Sequence, residues 1–241
     1  MPRSPTYSPP TLAEMRELVG RTLRDPNNTV FGTDSVNDFI AEGLMSLGAY
    51  RPIEAVETLA YEPVTFGDTQ YVLPALLSTV WQVEVRNETA PTDSGQSLVM
   101  PYIGPDQSSV QVGWDFYGGA LIFGRWAVNH MDQWYQHAGT ALSLVLYGYR
   151  DRAIPVLDDD YLDMEDSIDQ LCLIRECRAL GFQLLNNDRA LYQQWLAATN
   201  NTDVSPTQIQ GMLSSAVGDV ERQRKRSAVI RRVPVVGPQY P

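Results

Sequence analysis

Cysteine and histidine are scarce in this 241-residue chain, which contains two of each. Cys172 and Cys177 fall within one predicted helix, about 140° apart around its axis, so they cannot easily bridge each other. We expect two reduced core thiols. A metal site at His130 and His137 would need further ligands, and Asp132 is the nearest candidate. Because two isolated histidines are more often loop or surface residues, we expect such positions for both.

Long apolar runs and catalytic signatures are also lacking. No window approaches the roughly 20 apolar residues of a membrane span, and the amino terminus has no apolar signal-peptide region. We therefore expect the protein to stay in the compartment where it is made. The sequence contains no G-x-x-x-x-G-K-[ST], G-x-G-x-x-G, H-E-x-x-H or G-x-S-x-G motif. These absences favour a non-enzymatic protein without metal or cofactor, and a hydrolase built from residues distant in sequence stays an alternative.

Positive charge is sparse in most of the chain and concentrated at its end. The net charge of −11 disfavours a general nucleic-acid binder, because such proteins gain affinity by neutralising phosphates. Residues 1–220 hold 12 basic and 28 acidic side chains, whereas 221–241 hold six basic side chains and one acid. The six are Arg222, Arg224, Lys225, Arg226, Arg231 and Arg232. Such asymmetry is typical of an interaction segment.

Two short amphipathic helices are predicted after a proline-rich extended arm over 1–10. A capping box of Thr11 and Glu14 starts the first helix, and Asp25-Pro26 stops it. The second helix begins at position 33 or 34 and ends near 50. The short connection between the helices predicts a helical hairpin.

The hydrophobic period then changes to two, which predicts an antiparallel β-rich module of about six strands over 54–150. A polar loop is predicted over 87–97, and Gly118-Gly119 is typical of a two-residue hairpin turn. Arg125–His137 is interpreted as a long loop or an edge strand. The alternating runs are Glu57–Phe66, Gln70–Leu73, Val80–Val85, Val110–Trp114, Ala120–Phe123 and Thr140–Tyr147.

Helical spacing returns after Pro155, where six acidic residues between 158 and 166 are interpreted as negative charge at a helix N-terminus. For Asp158–Asp160 we weigh a solvated loop leading into that helix against a divalent-cation site. The helix ends at Asn186-Asn187 and a shorter one follows. A second capping box, Ser205 to Gln208, opens a last helix that becomes basic toward its end.

These elements predict an α+β fold in which both helical segments share one core. Residues 11–53 and 151–228 form a helical bundle of about five helices, 54–150 form the inserted β-rich module, and 229–241 form an extended tail.

Aromatic side chains are concentrated in the predicted β module, and most are expected in its core. Trp126, Trp134 and Tyr135 lie outside good alternation. We assign them to a subunit interface or, alternatively, to carbohydrate binding.

The order of segments and several local phrases resemble head-to-tail adaptor (connector) proteins of tailed bacteriophages over roughly 11–232. The phrases are LAEMRELVGRTLRDPNNTVFGTDSVNDFIAEGLMSLGAYRP, a G-D-x-x-Y-x-L-P element from Gly67, the strand WQVEV, the Gly148-Tyr149-Arg150 exit and DRALYQQW at 188–195.

The resemblance implies a structural virion protein at the head–tail junction, made in the host cytoplasm. Its copies form a twelvefold ring on the portal protein, extend the DNA channel and present a platform to a downstream connector or tail protein. Such a ring acts in genome packaging and DNA ejection, and DNA passes through it without sequence-specific binding. The acidic body fits a conduit that must not hold DNA. Another tail-completion protein, or a host- or carbohydrate-binding virion protein, is the alternative.

The carboxy-terminal segment is expected to dock on the portal, as the resemblance implies. A basic helix end followed by an extended apolar tail buries poorly in a monomer, which favours a segment ordered on a neighbour over a solubilising disordered end. Besides the six basic residues, the predicted docking residues are Val233, Val235, Val236 and Tyr240.

Overall fold

The chain divides into two compact units, one formed by Met1–Pro52 with Arg152–Pro241 and one formed by Ile53–Asp151. The computed structural model describes residues 7–60, 70–72, 77–87, 97–102, 113–117, 120–123, 131, 142–199 and 204–230. The predicted α+β class, with a β-rich module inserted into a helical body, is confirmed. The β unit differs from the predicted 54–150 by one residue at each end.

Five helices form the described part of the first unit. They are α1 (Leu12–Thr22), α2 (Thr33–Tyr50), α3 (Ser167–Asn187), α4 (Arg189–Thr199) and α5 (Pro206–Ile230). Both predicted capping boxes are present. At α1 the Glu14 amide donates to Thr11 Oγ1 and the Thr11 amide to Glu14 Oε2, and Ser205 and Gln208 exchange the equivalent bonds at α5.

Helix α3 is the central helix of this unit and packs against α2 and α5. Gly43 on α2 permits the close approach, because a Cβ there would lie 2.5 Å from Leu173 Cδ1. Cys172 and Cys177 are free and buried, as predicted. The fully buried Trp195 joins α4 to the same core and donates its Nε1–H to the Leu23 carbonyl oxygen at 2.8 Å.

Negative charge lies at the N-terminus of α3, as predicted, but only the last of the six acidic residues after Pro155 caps the helix. Helix α3 begins at Ser167, and its N-cap is Asp166, whose side chain accepts the Asp169 amide. Residues 158–163 lie in a loop, where the Asp160 carboxylate accepts the amides of Val156 and Leu157. Carboxylates can satisfy loop amides as readily as the free amides of a helix start, so composition alone did not locate the boundary.

The described β unit contains seven strands in two antiparallel sheets. A four-stranded sheet has the order β1-β7-β3-β4, and a three-stranded sheet has the order β2-β6-β5. Strand β4 was not predicted, since its four residues follow a polar loop. The strands are β1 (Ile53–Ala60), β2 (Gln70–Val72), β3 (Thr79–Asn87), β4 (Ser97–Met100), β5 (Trp114–Tyr117), β6 (Ala120–Phe123) and β7 (Leu142–Arg150).

The predicted hairpin is confirmed, because Tyr117 pairs with Ala120 and leaves two residues for the turn. Trp114 is buried, as predicted for most of the aromatics, and donates its Nε1–H to the Met100 carbonyl oxygen at 3.0 Å. Trp81 is instead 49% exposed. The register shifts between Val80 and Gln82, and this bulge breaks the alternation on which the core assignment of Trp81 depended.

Candidate interaction surface

The basic residues predicted near the end of the chain divide into two groups in the structure. The four of these residues that the structure describes, Arg222, Arg224, Lys225 and Arg226, are exposed on α5, and Arg224 also contacts the helical body. Arg231, Arg232, Val233, Val235, Val236 and Tyr240 lie outside the described residues, as do Trp126, Trp134, Tyr135, His130 and His137.

Arg224 fixes the end of α5 to α2 and α3. Its Nη2 lies 3.2 Å from the largely buried Glu176 carboxylate and donates to Ser46 Oγ at 2.7 Å. Its guanidinium lies over the Tyr50 ring, 5.7 Å from the centroid. Burial, together with the Glu176 charge, raises the pKa of Tyr50 far above its usual value, so the phenol stays neutral. Arg224 therefore stabilises the packing of α5 on α2 and α3, and its predicted docking role stays a prediction.

A groove opens between α3 and α5, and we refer to it as the arginine groove. It has a volume of about 440 Å³ and contains two half-exposed aliphatic side chains, Ile168 and Leu171. Its remaining lining residues are Arg51, Arg175, Asp219, Arg222, Gln223 and Arg226. Four guanidinium groups and one carboxylate thus surround an apolar patch.

The arginines of this groove differ in how far their charges are compensated. Arg222 pairs with Asp219 at 2.6 Å, and that hydrogen bond lowers the pKa of the Asp219 carboxyl. Arg175 donates to the neutral Gln223 side chain at 3.3 Å. No hydrogen bond or ion pair to another described residue engages Arg226. The groove therefore offers uncompensated positive charge beside exposed aliphatic carbon.

A buried ionic cluster holds one side of the groove in place. Asp169 is fully buried and accepts Arg51 Nε at 2.5 Å and Arg152 Nη2 at 2.8 Å. Arg152 also donates to the carbonyl oxygens of Arg51 and Asp163, at 2.7 and 2.6 Å. Because Arg51 and Arg152 flank the inserted β unit in sequence, this cluster joins the two chain segments where the insertion begins and ends.

The ionic cluster was not predicted, although the sequence contains a signal for it. Asp169 and Glu176 both lie on the buried side of α3, beside Cys172 and Leu173. An acid on the apolar side of a helix requires a buried partner. The arginines at the two changes of hydrophobic period, Arg51 and Arg152, were the candidates.

A second exposed surface is formed by residues 153–161, which we call the 153–161 loop. Its apolar side chains face solvent, with Val156 81% and Leu157 66% exposed, and Ile154 and Tyr161 are also exposed. The carboxylates of Asp158 and Asp159 lie among them. Large apolar side chains that cluster on an ordered surface are typical of interaction sites.

This loop is held in one conformation by the start of α1. The amide of Leu12 donates to the Asp160 carbonyl oxygen at 2.9 Å, and the amide of Ala13 donates to the Asp158 carbonyl oxygen at 3.1 Å. Arg16 pairs with Asp158 at 2.7 Å and lowers the pKa of that carboxyl. The solvated-loop interpretation of Asp158–Asp160 thus fits the structure. Within the described part of the chain, no group of three or more histidine, cysteine or acidic residues is arranged to hold a metal ion.

No helix among the described residues has the length and apolar character needed to cross a membrane. Comparison with known proteins found no matching family model and no matching curated protein.

Proposed function

We propose that this chain is a structural head-to-tail adaptor of a tailed bacteriophage. In this role, copies of the chain form a ring on the portal protein, extend the DNA channel and carry a downstream connector or tail protein. The observation that carries the proposal is the pair of ordered, exposed surfaces on the helical unit, the arginine groove and the 153–161 loop. Both combine charge with apolar side chains, as protein–protein contacts do.

The segment order adds support for this function. A helical unit carries an inserted β unit, and its last helix leads into the basic, proline-spaced residues 231–241. This is the arrangement on which the resemblance to adaptor proteins rests. The acidic balance of 1–220 suits a conduit from which DNA must be released, because like charges disfavour adhesion.

The docking role proposed for the end of the chain is best tested by a truncation that leaves α5 intact. Removing residues from 222 onward would also remove Arg224 and the buried Gln223, and so would disturb the helical unit. Deletion of 231–241 avoids both. We expect the truncated chain to keep its far-UV circular dichroism and to lose binding to the portal ring of the same phage in co-sedimentation.

A charge-only variant, Arg231→Gln with Arg232→Gln, serves as the matched control. It separates the contribution of the two guanidinium groups from that of the apolar tail. Full portal binding by the 231–241 deletion would overturn the docking proposal.

A further inference from the structure

The two exposed surfaces of the helical unit are complementary in chemistry. The arginine groove has Ile168 and Leu171 beside uncompensated guanidinium groups. The 153–161 loop has Val156 and Leu157 beside the Asp158 and Asp159 carboxylates. In the groove Asp219 pairs with Arg222, and at the loop Asp158 pairs with Arg16. Among the described residues, Arg175 and Arg226 in the groove and Asp159 in the loop have no partner of opposite charge, and the two surfaces therefore differ in the sign of their uncompensated charge.

The surfaces also belong to different parts of the same unit. The loop lies against the start of α1, whereas the groove lies between α3 and α5, and no residue belongs to both. A contact between the loop of one copy and the groove of the next therefore leaves one free loop and one free groove. Such a head-to-tail contact repeats and gives a ring when its rotation closes.

We infer that the arginine groove binds the 153–161 loop of a second copy of this chain. The inference rests on the proposed function, since it names the contact through which copies of the proposed ring would meet. In this contact Leu157 and Val156 cover Ile168 and Leu171, and Asp159 faces Arg226.

Four arginines could also bind the phosphates of a nucleic acid, but the other residues that line the groove disfavour such a ligand. Phosphate contacts use cations and polar donors, whereas this groove also contains two half-exposed aliphatic side chains, which a phosphate backbone would leave uncovered. The chain as a whole carries a net charge of −11, which repels DNA. A peptide segment with both apolar and acidic side chains can cover the aliphatic residues of the groove and also pair with its arginines.

The loop is suited to this role because its conformation is set before binding. Asp160 accepts two amides within the loop, and Asp163 Oδ2 accepts the Ala153 amide at 3.0 Å. Hydrogen bonds to α1 hold the other side of the loop. A segment ordered in advance loses less conformational entropy when it binds.

Two single charge reversals, Asp159→Arg and Arg226→Asp, test the contact on the full chain. Both residues are exposed, so each variant is expected to keep its circular dichroism spectrum. Sedimentation velocity of the wild-type chain, at concentrations up to about 1 mM, should show reversible self-association. Each reversal alone should weaken it by about tenfold or more, because like charges then face each other.

An equimolar mixture of the two variants separates this contact from a general charge effect. Asp159 of the Arg226→Asp chain meets Arg226 of the other chain, and the reversed pair is also complementary. The mixture should therefore associate nearly as well as the wild type. Leu157→Ser should weaken association while every charge is kept, which tests the apolar part of the contact.

Several outcomes would overturn the inference. These are a wild-type chain that stays monomeric at the highest concentration, single reversals that associate as the wild type does, or a mixture that behaves as the sum of its parts. Binding of a fluorescent DNA duplex that is lost in Arg226→Asp would assign the groove to phosphate instead. All of these measurements use the purified chain, so their failure is distinct from a failure to bind the portal.

Discussion

The buried ionic cluster gives the sharpest stability prediction. In Asp169→Asn the side chain keeps its size but loses its charge, and the buried Arg152 and half-buried Arg51 then lack their shared carboxylate. Removing one partner of a buried ion pair typically costs about 3–5 kcal/mol. Two arginines share this carboxylate, although Arg51 also pairs with Asp166 at 3.2 Å, and Asp169 Oδ2 accepts the Glu165 amide at 3.1 Å. We therefore expect a loss of at least about 3 kcal/mol in the free energy of unfolding.

Urea unfolding followed by circular dichroism at the helical minimum measures this loss. A drop of about 3 kcal/mol is a large part of the 5–15 kcal/mol that stabilises a typical protein, so the unfolding midpoint should move clearly. Asp159→Asn is the matched control, because it removes an exposed carboxylate by the same substitution and should change stability by no more than about 0.5 kcal/mol. If Asp169→Asn cost less than about 1 kcal/mol, the cluster would not hold the segments that flank the insertion.

Three further predictions concern the two cores. Trp195→Phe removes the hydrogen bond to the buried Leu23 carbonyl oxygen and should cost about 1–3 kcal/mol by urea unfolding, and an unchanged midpoint would contradict this. Gly148→Ala places a Cβ 2.1 Å from the Thr79 carbonyl oxygen, so the pairing of β3 with β7 should weaken. The β unit should then be cleaved faster by proteases, and a cleavage rate equal to that of the wild type would contradict the register of these strands. Burial raises the pKa of the Cys172 thiol to about 11, so only about one molecule in a thousand is thiolate at pH 8. Thiol labelling of the folded chain should therefore be slow and accelerate with rising pH and in urea, and rapid labelling at pH 8 would refute the burial of this side chain.

Local signals predicted much of the helical unit. The capping boxes at Thr11 and Ser205 placed two helix starts, and Asn186-Asn187 placed the end of α3. Each of these signals is formed by residues no more than a few positions apart, so it can be read directly from the sequence. The β4 strand was missed, because it directly follows a polar run and its last three residues are all apolar, so it shows no alternation.

The candidate site was harder to predict, since it depends on contacts between distant segments. Arg51 and Asp169 are 118 residues apart, and Arg224 and Glu176 are 48 apart. A run of basic residues at the end of a helix does not reveal that Arg224 contacts Glu176 and Ser46 while Arg226 lines a groove. The contacts of each arginine depend on which face of α5 packs against α3, and the tertiary fold determines that face.

Cryo-electron microscopy of intact particles of the proposed phage tests most directly whether this chain forms a structural ring at the head–tail junction. We expect a ring of copies directly beneath the portal, with the 153–161 loop of each copy bound in the arginine groove of its neighbour. Particles in which the chain is absent from the junction, or lies elsewhere in the tail, would contradict it.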